Sequence, residues 1–296
     1  MPRSLGSRAA LVLVTAASAL VGCGGEAEPK GAAAEGEPLR VALIPNQDPA
    51  KVKAEYQPLA EYLSERLGME VELDVPTGYP AVVEAMANDR IDLALFGGLT
   101  YVQARERAKV TPLVTDVTAE TGTTKYYSAI IVPADSPARR VEDLRGQDFA
   151  FGSVSSTSGS LYPALMLREA GLDFRSDLDR FTYTNGHDAT AAAVASGRVA
   201  GGGLERRILR RLVAKGTIER GKVRELAVSD PIEGYPWVVR DAVDPKLRDR
   251  IAEAFLSLRD PKLLGLLNAE RFERVEASDY DYIERQAREL ELLVAK

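Results

Sequence analysis

The 296 residues contain one cysteine, one histidine and one tryptophan. The lone cysteine, Cys23, excludes a disulfide within the chain, and with a lone imidazole at His187 it also excludes the usual thiolate and imidazole zinc sites. A single histidine leaves no second base, and there is neither a G-x-S-x-G elbow nor a Ser-x-x-Lys pair to pair Ser158 and His187 with a carboxylate as a triad. A nucleotide phosphate loop is missing too, because "SSTSG" at 155–159 lacks the lysine that follows the glycine. No catalytic role, cofactor or metal is therefore expected. Positive charge is scarce: 38 Lys and Arg stand against 44 Asp and Glu, a net charge of -6 that excludes nucleic acid as a natural partner. Beyond the N-terminal segment no apolar run is long enough to cross a bilayer.

That N-terminal segment, "MPRSLGSRAALVLVTAASALVGCGG", joins Arg3 and Arg8 to a short apolar run and small residues, the pattern of a secretory signal over 1–22. Leu20-Val21-Gly22-Cys23 resembles the bacterial lipobox, so Cys23 is expected to be lipidated and to anchor the chain at a membrane facing an extracytoplasmic space. The stretch 23–38, rich in Gly, Ala and Glu and without periodicity, reads as a flexible tether. Loss of Arg3 and Arg8 with the signal makes the remaining chain more acidic still, so any anion it binds is held by local dipoles and placed donors.

From Leu39 onward short β-branched or apolar runs alternate with amphipathic ones. The pattern predicts strands at 39–44, 70–75 and 91–96 with helices at 54–68 and 79–89, a βαβαβ unit with a parallel sheet. Further strands are predicted at 126–133, 148–152, 180–184, 198–203 and 222–229, and helices at 160–171, 187–197 and 205–216. After "YPWVV" at 235–239 only helices are expected. The fold class is α/β: two lobes with parallel-rich sheets, 39–131 plus 231–296 forming the first and 132–230 the second, with a ligand cleft between them.

Four predicted helices start just after strand ends with small or hydroxyl residues: "PTGYP" (76–80), "FGGLTY" (96–101), "SSTSG" (155–159) and "NGHDA" (185–189), two in each lobe. Faced across a cleft, they present N–H groups, hydroxyls and positive dipole ends to one small tetrahedral oxyanion. Each element has a blander use. The Ser/Thr loop also makes an ordinary N-cap, His187 a capping or exposed histidine, and Gly97-Gly98 a simple turn. Tyr79 and Tyr101 serve equally as phenol donors, aromatic walls or packing. Trp237 reads as core, and the basic helix "ERRILRRLVAKG" as a solvated face, with a docking surface as the second reading.

The segments "RVALIPNQDPAKVKAEYQPLAEYLSERLG", "GYPAVVEAMANDRIDLALFGGLTYVQA", "FGSVSSTSG", "GHDATAAAVASG" and "YPWVVR" together resemble the solute-binding proteins of phosphonate/phosphite-type ABC transporters. The resemblance implies a two-lobed type II periplasmic binding fold that closes on an oxyanion. It places the ligand groups on Ser156, Thr157, Ser158 and His187, with an aromatic at Tyr79; together with Phe96, Gly97, Gly98, Tyr101 and Tyr235 these residues make up the expected lining. It also implies a monomer that delivers its ligand to an ABC permease and ATPase; docking on a membrane sensor kinase is the competing partner. Two departures stand out. A tyrosine common in aminophosphonate binders is here Phe96, and the acids that hold the substrate amine there fall near Arg207 and Tyr235, so the amine-recognition end is expected to be lost. The wording of the loops is similar to phosphite-type members and to members assigned to selenate.

Overall fold

The structure, a computed structural model, describes residues 37–293. The expected signal segment, Cys23 and the tether as far as residue 36 lie outside the described residues.

The first lobe starts with β1 (Leu39–Leu43), α1 (Pro49–Leu67), β2 (Val71–Asp74), α2 (Tyr79–Ala87), β3 (Leu93–Leu95), α3 (Gly98–Arg105), β4 (Val110–Thr118) and β5 (Lys125–Tyr126). The chain then builds β6 (Ser128–Pro133), β7 (Phe149–Phe151), α4 (Tyr162–Glu169), β8 (Phe181–Tyr183), α5 (His187–Ala195), β9 (Gly201–Glu205), α6 (Arg206–Ala214) and β10 (Val223–Val228). It returns through β11 (Ile232–Glu233), β12 (Trp237–Arg240), α7 (Pro245–Leu256), α8 (Pro261–Leu267), β13 (Ala269–Arg274) and α9 (Asp281–Glu289).

One sheet runs β13-β4-β12-β3-β1-β2 and the other β10-β6-β9-β7-β8, with β11 and β5 pairing separately. This is the two-lobed α/β architecture expected, but its sheets are mixed rather than parallel-rich. Only β1–β2, β1–β3, β7–β8 and β7–β9 pair in parallel; the remaining pairs are antiparallel. The antiparallel pairs arise where strands cross back after the second lobe or pair beside the crossing point. β6 already belongs to the second sheet, so the chain changes lobe by Ser128, ahead of the expected Val132.

Three strands lie where none was expected: the two-residue β11, paired with β5, and the longer β4 and β13. In β4, Pro112 withholds a ladder donor, a feature that argues against a central strand; the register shifts beside it, opposite Trp237 and Val238, and absorbs the defect. β13 follows an Asn268 that ends α8 in the left-handed conformation, so "only helices" after 239 is corrected to helices plus one edge strand. Its polar sequence and a register shift between Ala269 and Arg271 hide the alternation.

α1 starts at Pro49, five residues before the predicted start. The Asp48 side chain accepts from Lys51 N–H and proline fixes the first turn; Gly68 at φ 62 ends the helix. The main core fills the first lobe and the α4 side of the second. A smaller cluster, with Ile131, Ala191, Val194, Leu204 and Ile208, packs α5 and α6 on the second sheet. Among the described residues no helix is long and apolar enough to cross a membrane.

Candidate functional site

All four helix starts picked out in the sequence lie at the ends of strands facing the same interlobe region. α2, α3 and α5 are preceded by Gly78, Gly97 and Gly186, none of which has a side chain to cap the first N–H groups. The fourth start differs. Ser156 accepts from Gly159 N–H at 3.0 Å, the ordinary N-cap role, and the next turn is widened: Leu161 N–H reaches Ser156 O at 3.1 Å, five residues back. Such wide turns recur at functional sites because they shift side chains out of helical register.

The two lobes meet here through direct hydrogen bonds. Leu99 N–H donates to Thr157 Oγ1 at 2.9 Å and Thr100 Oγ1–H to Ser155 O at 2.9 Å. His187 N–H donates to Asn46 O at 3.0 Å, Asp48 N–H to Asp188 Oδ2 at 3.2 Å, and the Tyr235 hydroxyl to Glu205 Oε2 at 2.6 Å. The structure is thus a closed form. Glycine permits the contact: a Cβ on Gly97 would sit 3.0 Å from Thr157 Oγ1, and one on Gly159 would sit 2.8 Å from Ser156 Oγ and 3.1 Å from His187 Cε1.

Inside this contact three buried polar atoms lack a partner: Tyr126 Oη, Ser158 Oγ and His187 Nε2. Buried polar groups are nearly always paired, so three together mark a place where something polar is held. Tyr126 neighbours the Ser158 and Thr157 hydroxyls, and the His187 ring touches Gly159, so the three atoms belong to one site. Burial, followed by the charge of Glu205, pushes the phenols of Tyr79, Tyr126 and Tyr235 upward, which keeps all three protonated as donors. Burial pushes the His187 imidazole down, against the opposing pull of Glu205 and Asp188.

The structure therefore brings together Tyr79, Gly97, Ser156, Thr157, Ser158, His187 and Tyr235 from the sequence expectation. It does not bring Gly98 and Tyr101. These lie three residues apart on the face of α3 turned to α9, where Gly98 faces Ile283 and the Tyr101 ring meets Tyr280 edge-on at 5.1 Å with the Arg105 guanidinium 5.5 Å from its centre. Phe96 is fully buried core, its N–H bonded to Pro236 O. Trp237 is core as expected, stacked at 4.7 Å on Phe255.

Sequence reading missed two residues. Tyr126 opens a predicted strand with no turn or glycine beside it, and its one signal is its place near the change of lobe. Glu205 corrects the expectation that no carboxylate remains at the amine end: it ends β9, 1% exposed, and accepts from Tyr235 and from Arg207 Nε at 2.5 Å. In sequence it is only the polar first residue of the basic segment "ERRILRRLVAKG". That helix, α6, is also more than a solvated face. Arg207 bonds Asp116 at 2.9 Å, Lys215 bonds Glu55 at 3.0 Å and Arg210 pairs with Glu120, all across the cleft. Outside the Tyr235–Glu205 pair the cleft widens into a cavity of about 290 Å³ floored by Tyr56 and Trp237. None of the three unpartnered atoms lines it. Among the described residues no cluster of His, Cys, Asp and Glu is placed to hold a metal ion.

Comparison with known proteins matches residues 41–280 to the family model described as "ABC transporter, phosphonate, periplasmic substrate-binding protein". The chain is 32% identical over 245 residues to the phosphate-import protein PhnD of Mycolicibacterium smegmatis, covering 79% of this chain and 76% of that one. It is 25% identical to a probable ABC transporter phosphite binding protein, PhnD1, of Prochlorococcus marinus, covering 85% and 89%. Among solved structures, PhnD1 of Prochlorococcus marinus in complex with methylphosphonate superposes with a TM-score of 0.79 at 24% identity, covering 86% of this chain and 98% of that one. A binding protein component of a Pseudomonas aeruginosa ABC phosphonate transporter gives the same TM-score at 21% identity, covering 86% and 87%. At these identities the two structures speak for the fold.

Proposed function

The chain belongs to the periplasmic substrate-binding proteins of phosphonate ABC transporters, and from that premise we propose that it captures a compact tetrahedral oxyanion between its lobes and delivers it to a membrane permease and its ATPase. The family is one of transport binding proteins rather than enzymes, and it works on the extracytoplasmic side. The observation that carries the reading is the trio of buried, unpartnered donors on Tyr126, Ser158 and His187, beside helix starts that follow glycines. Neutral donors buried between the lobes suit phosphite, phosphate or methylphosphonate, and the names of the relatives fall in the same class. The site groups are Tyr79, Tyr126, Ser156, Thr157, Ser158 and His187, of which Ser156 acts through its cap and Thr157 also joins the lobes. The lipobox-like segment supports a lipid on Cys23, holding a monomer within reach of its permease through the tether.

Isothermal titration against phosphite, phosphate, methylphosphonate and selenate tests the reading. Saturable binding of at least one of the first three, with a rise in melting temperature by linkage, is expected. No heat with any of them, together with turnover of an ester substrate, overturns it.

A further inference from the structure

We propose that Glu205 makes this site selective for the singly charged, still protonated form of its oxyanion. The proposal rests on the oxyanion reading above and goes beyond it in naming the charge state that is taken.

The first part of the argument is the tautomer of His187. Glu205 N–H donates to His187 Nδ1 at 3.3 Å, in the interior. A ring nitrogen that accepts a hydrogen bond carries no proton, so the imidazole proton is on Nε2, the atom buried without a partner. Charging the ring puts a second N–H against the Glu205 N–H, and burial disfavours the charged form as well. His187 therefore contributes a donor and no charge. Ser158 and Tyr126 are likewise uncharged donors.

The second part is the balance of full charges. The Glu205 carboxylate is 1% exposed, and it is the leading charge acting on Tyr79, Tyr126, Tyr235 and His187. Burial is the largest single influence and works to raise its pKa, but the Arg207 charge, the neighbouring His187 and the hydrogen bonds from Tyr235 and Arg207 together hold it below the usual carboxylate range, so it is ionised at neutral pH. Arg207 is itself committed twice, to Glu205 Oε1 at 2.5 Å and to Asp116 Oδ2 at 2.9 Å, so it leaves no net positive charge for a ligand. On the flank of the imidazole, Asp188 adds a negative charge and Arg211 a positive one, which oppose each other. A doubly charged ligand thus meets a buried carboxylate with no cation to spare. A ligand that keeps one proton carries half the charge and is repelled correspondingly less by that carboxylate.

Titration of the full chain with methylphosphonate between about pH 6 and 9 tests this, because none of the buried phenols ionises in that window. Affinity is expected to be level below the second pKa of the ligand and to fall about tenfold per pH unit above it. Selenate, doubly charged throughout, is expected to bind at least about a hundredfold more weakly than methylphosphonate at neutral pH. Affinity that rises or stays level through the second pKa, or selenate bound as tightly, overturns the charge selection while leaving the oxyanion reading intact. No binding of any oxyanion at any pH overturns both. In Glu205→Gln the pH slope is expected to flatten and selenate to gain; an unchanged slope overturns the role of Glu205. Should that variant not fold, nitrogen NMR of the wild type decides, since its single histidine gives one unambiguous pair of signals. One bare and one protonated nitrogen, with and without methylphosphonate at neutral pH, supports the proposal. A doubly protonated ring in the complex overturns it.

Discussion

Ser158→Ala separates binding from folding in sign as well as size. The side-chain oxygen it removes is fully buried and unpartnered, whereas the Ser158 carbonyl still accepts from Ser128 Oγ at 2.6 Å, so the backbone stays held. In the free protein a buried hydroxyl without a partner costs about 1–3 kcal/mol. The open form hydrates it and recovers much of that, so the variant is expected to be more stable by up to about 1 kcal/mol, or about 2–4 °C in Tm. In the complex the same hydroxyl donates to an anion, an interaction worth about 1.5–3 kcal/mol. With about 1.4 kcal/mol per factor of ten, affinity should fall about ten- to a hundredfold. Scanning calorimetry without ligand and titration with methylphosphonate, on one preparation, give both numbers. A variant that melts lower when free and binds as tightly as wild type refutes the reasoning, because the hydroxyl would then be doing structural work.

His187 carries a lowered imidazole pKa, so its contribution to stability is complete above about 6.5 and is lost as pH falls from there toward the folded value. The free protein should lose stability on acidification through that window, and His187→Gln, followed by denaturant melts against pH, should remove this part of the slope. Asp116→Asn leaves Arg207 with Glu205 alone and weakens the bridge across the cleft; ligand affinity is expected to drop about threefold to fivefold, with a larger radius of gyration in scattering of the free protein. Cys23→Ala should release the protein from the membrane fraction or leave its precursor uncleaved, as mass spectrometry and fractionation would reveal.

The sequence carried the site's backbone more clearly than its side-chain chemistry. Helix starts announce themselves locally: Gly78, Gly97, Ser156 and Gly186 sit beside strand ends, and the four N-termini are where the pattern placed them. What a side chain faces is a tertiary matter. Tyr101 and Tyr126 look alike as sequence, yet one turns to α9 and the other to the unpartnered donors. Glu205 shows the same limit, since a carboxylate heading a basic helix reads as surface until β9 is seen to bury it. The ties of α6 across the cleft are invisible locally because the partners are remote: Arg207 and Arg210 reach Asp116 of β4 and Glu120 just after it, and Lys215, just past the helix, reaches Glu55 of α1. Strands β4 and β13 were hidden by proline and by irregular register, where alternation no longer reports which face is inward.

The widened turn at Thr157–Leu161 bears on how such a protein can change over time. Directly behind it α4 buries Tyr162 through Leu167 without a break, so that helix has no freedom to rotate when the loop in front of it is altered. In a regular helix each inserted or deleted residue would turn the loop and the core together by about 100°. A turn with one residue to spare uncouples the two: the hydroxyls can be re-aimed by exchange within 155–160 while the packing of α4 stands. Ligand preference can then drift through short replacements in this one loop, and grafting a relative's loop between Gly152 and Leu161 is a compact way to alter it without rebuilding the lobe.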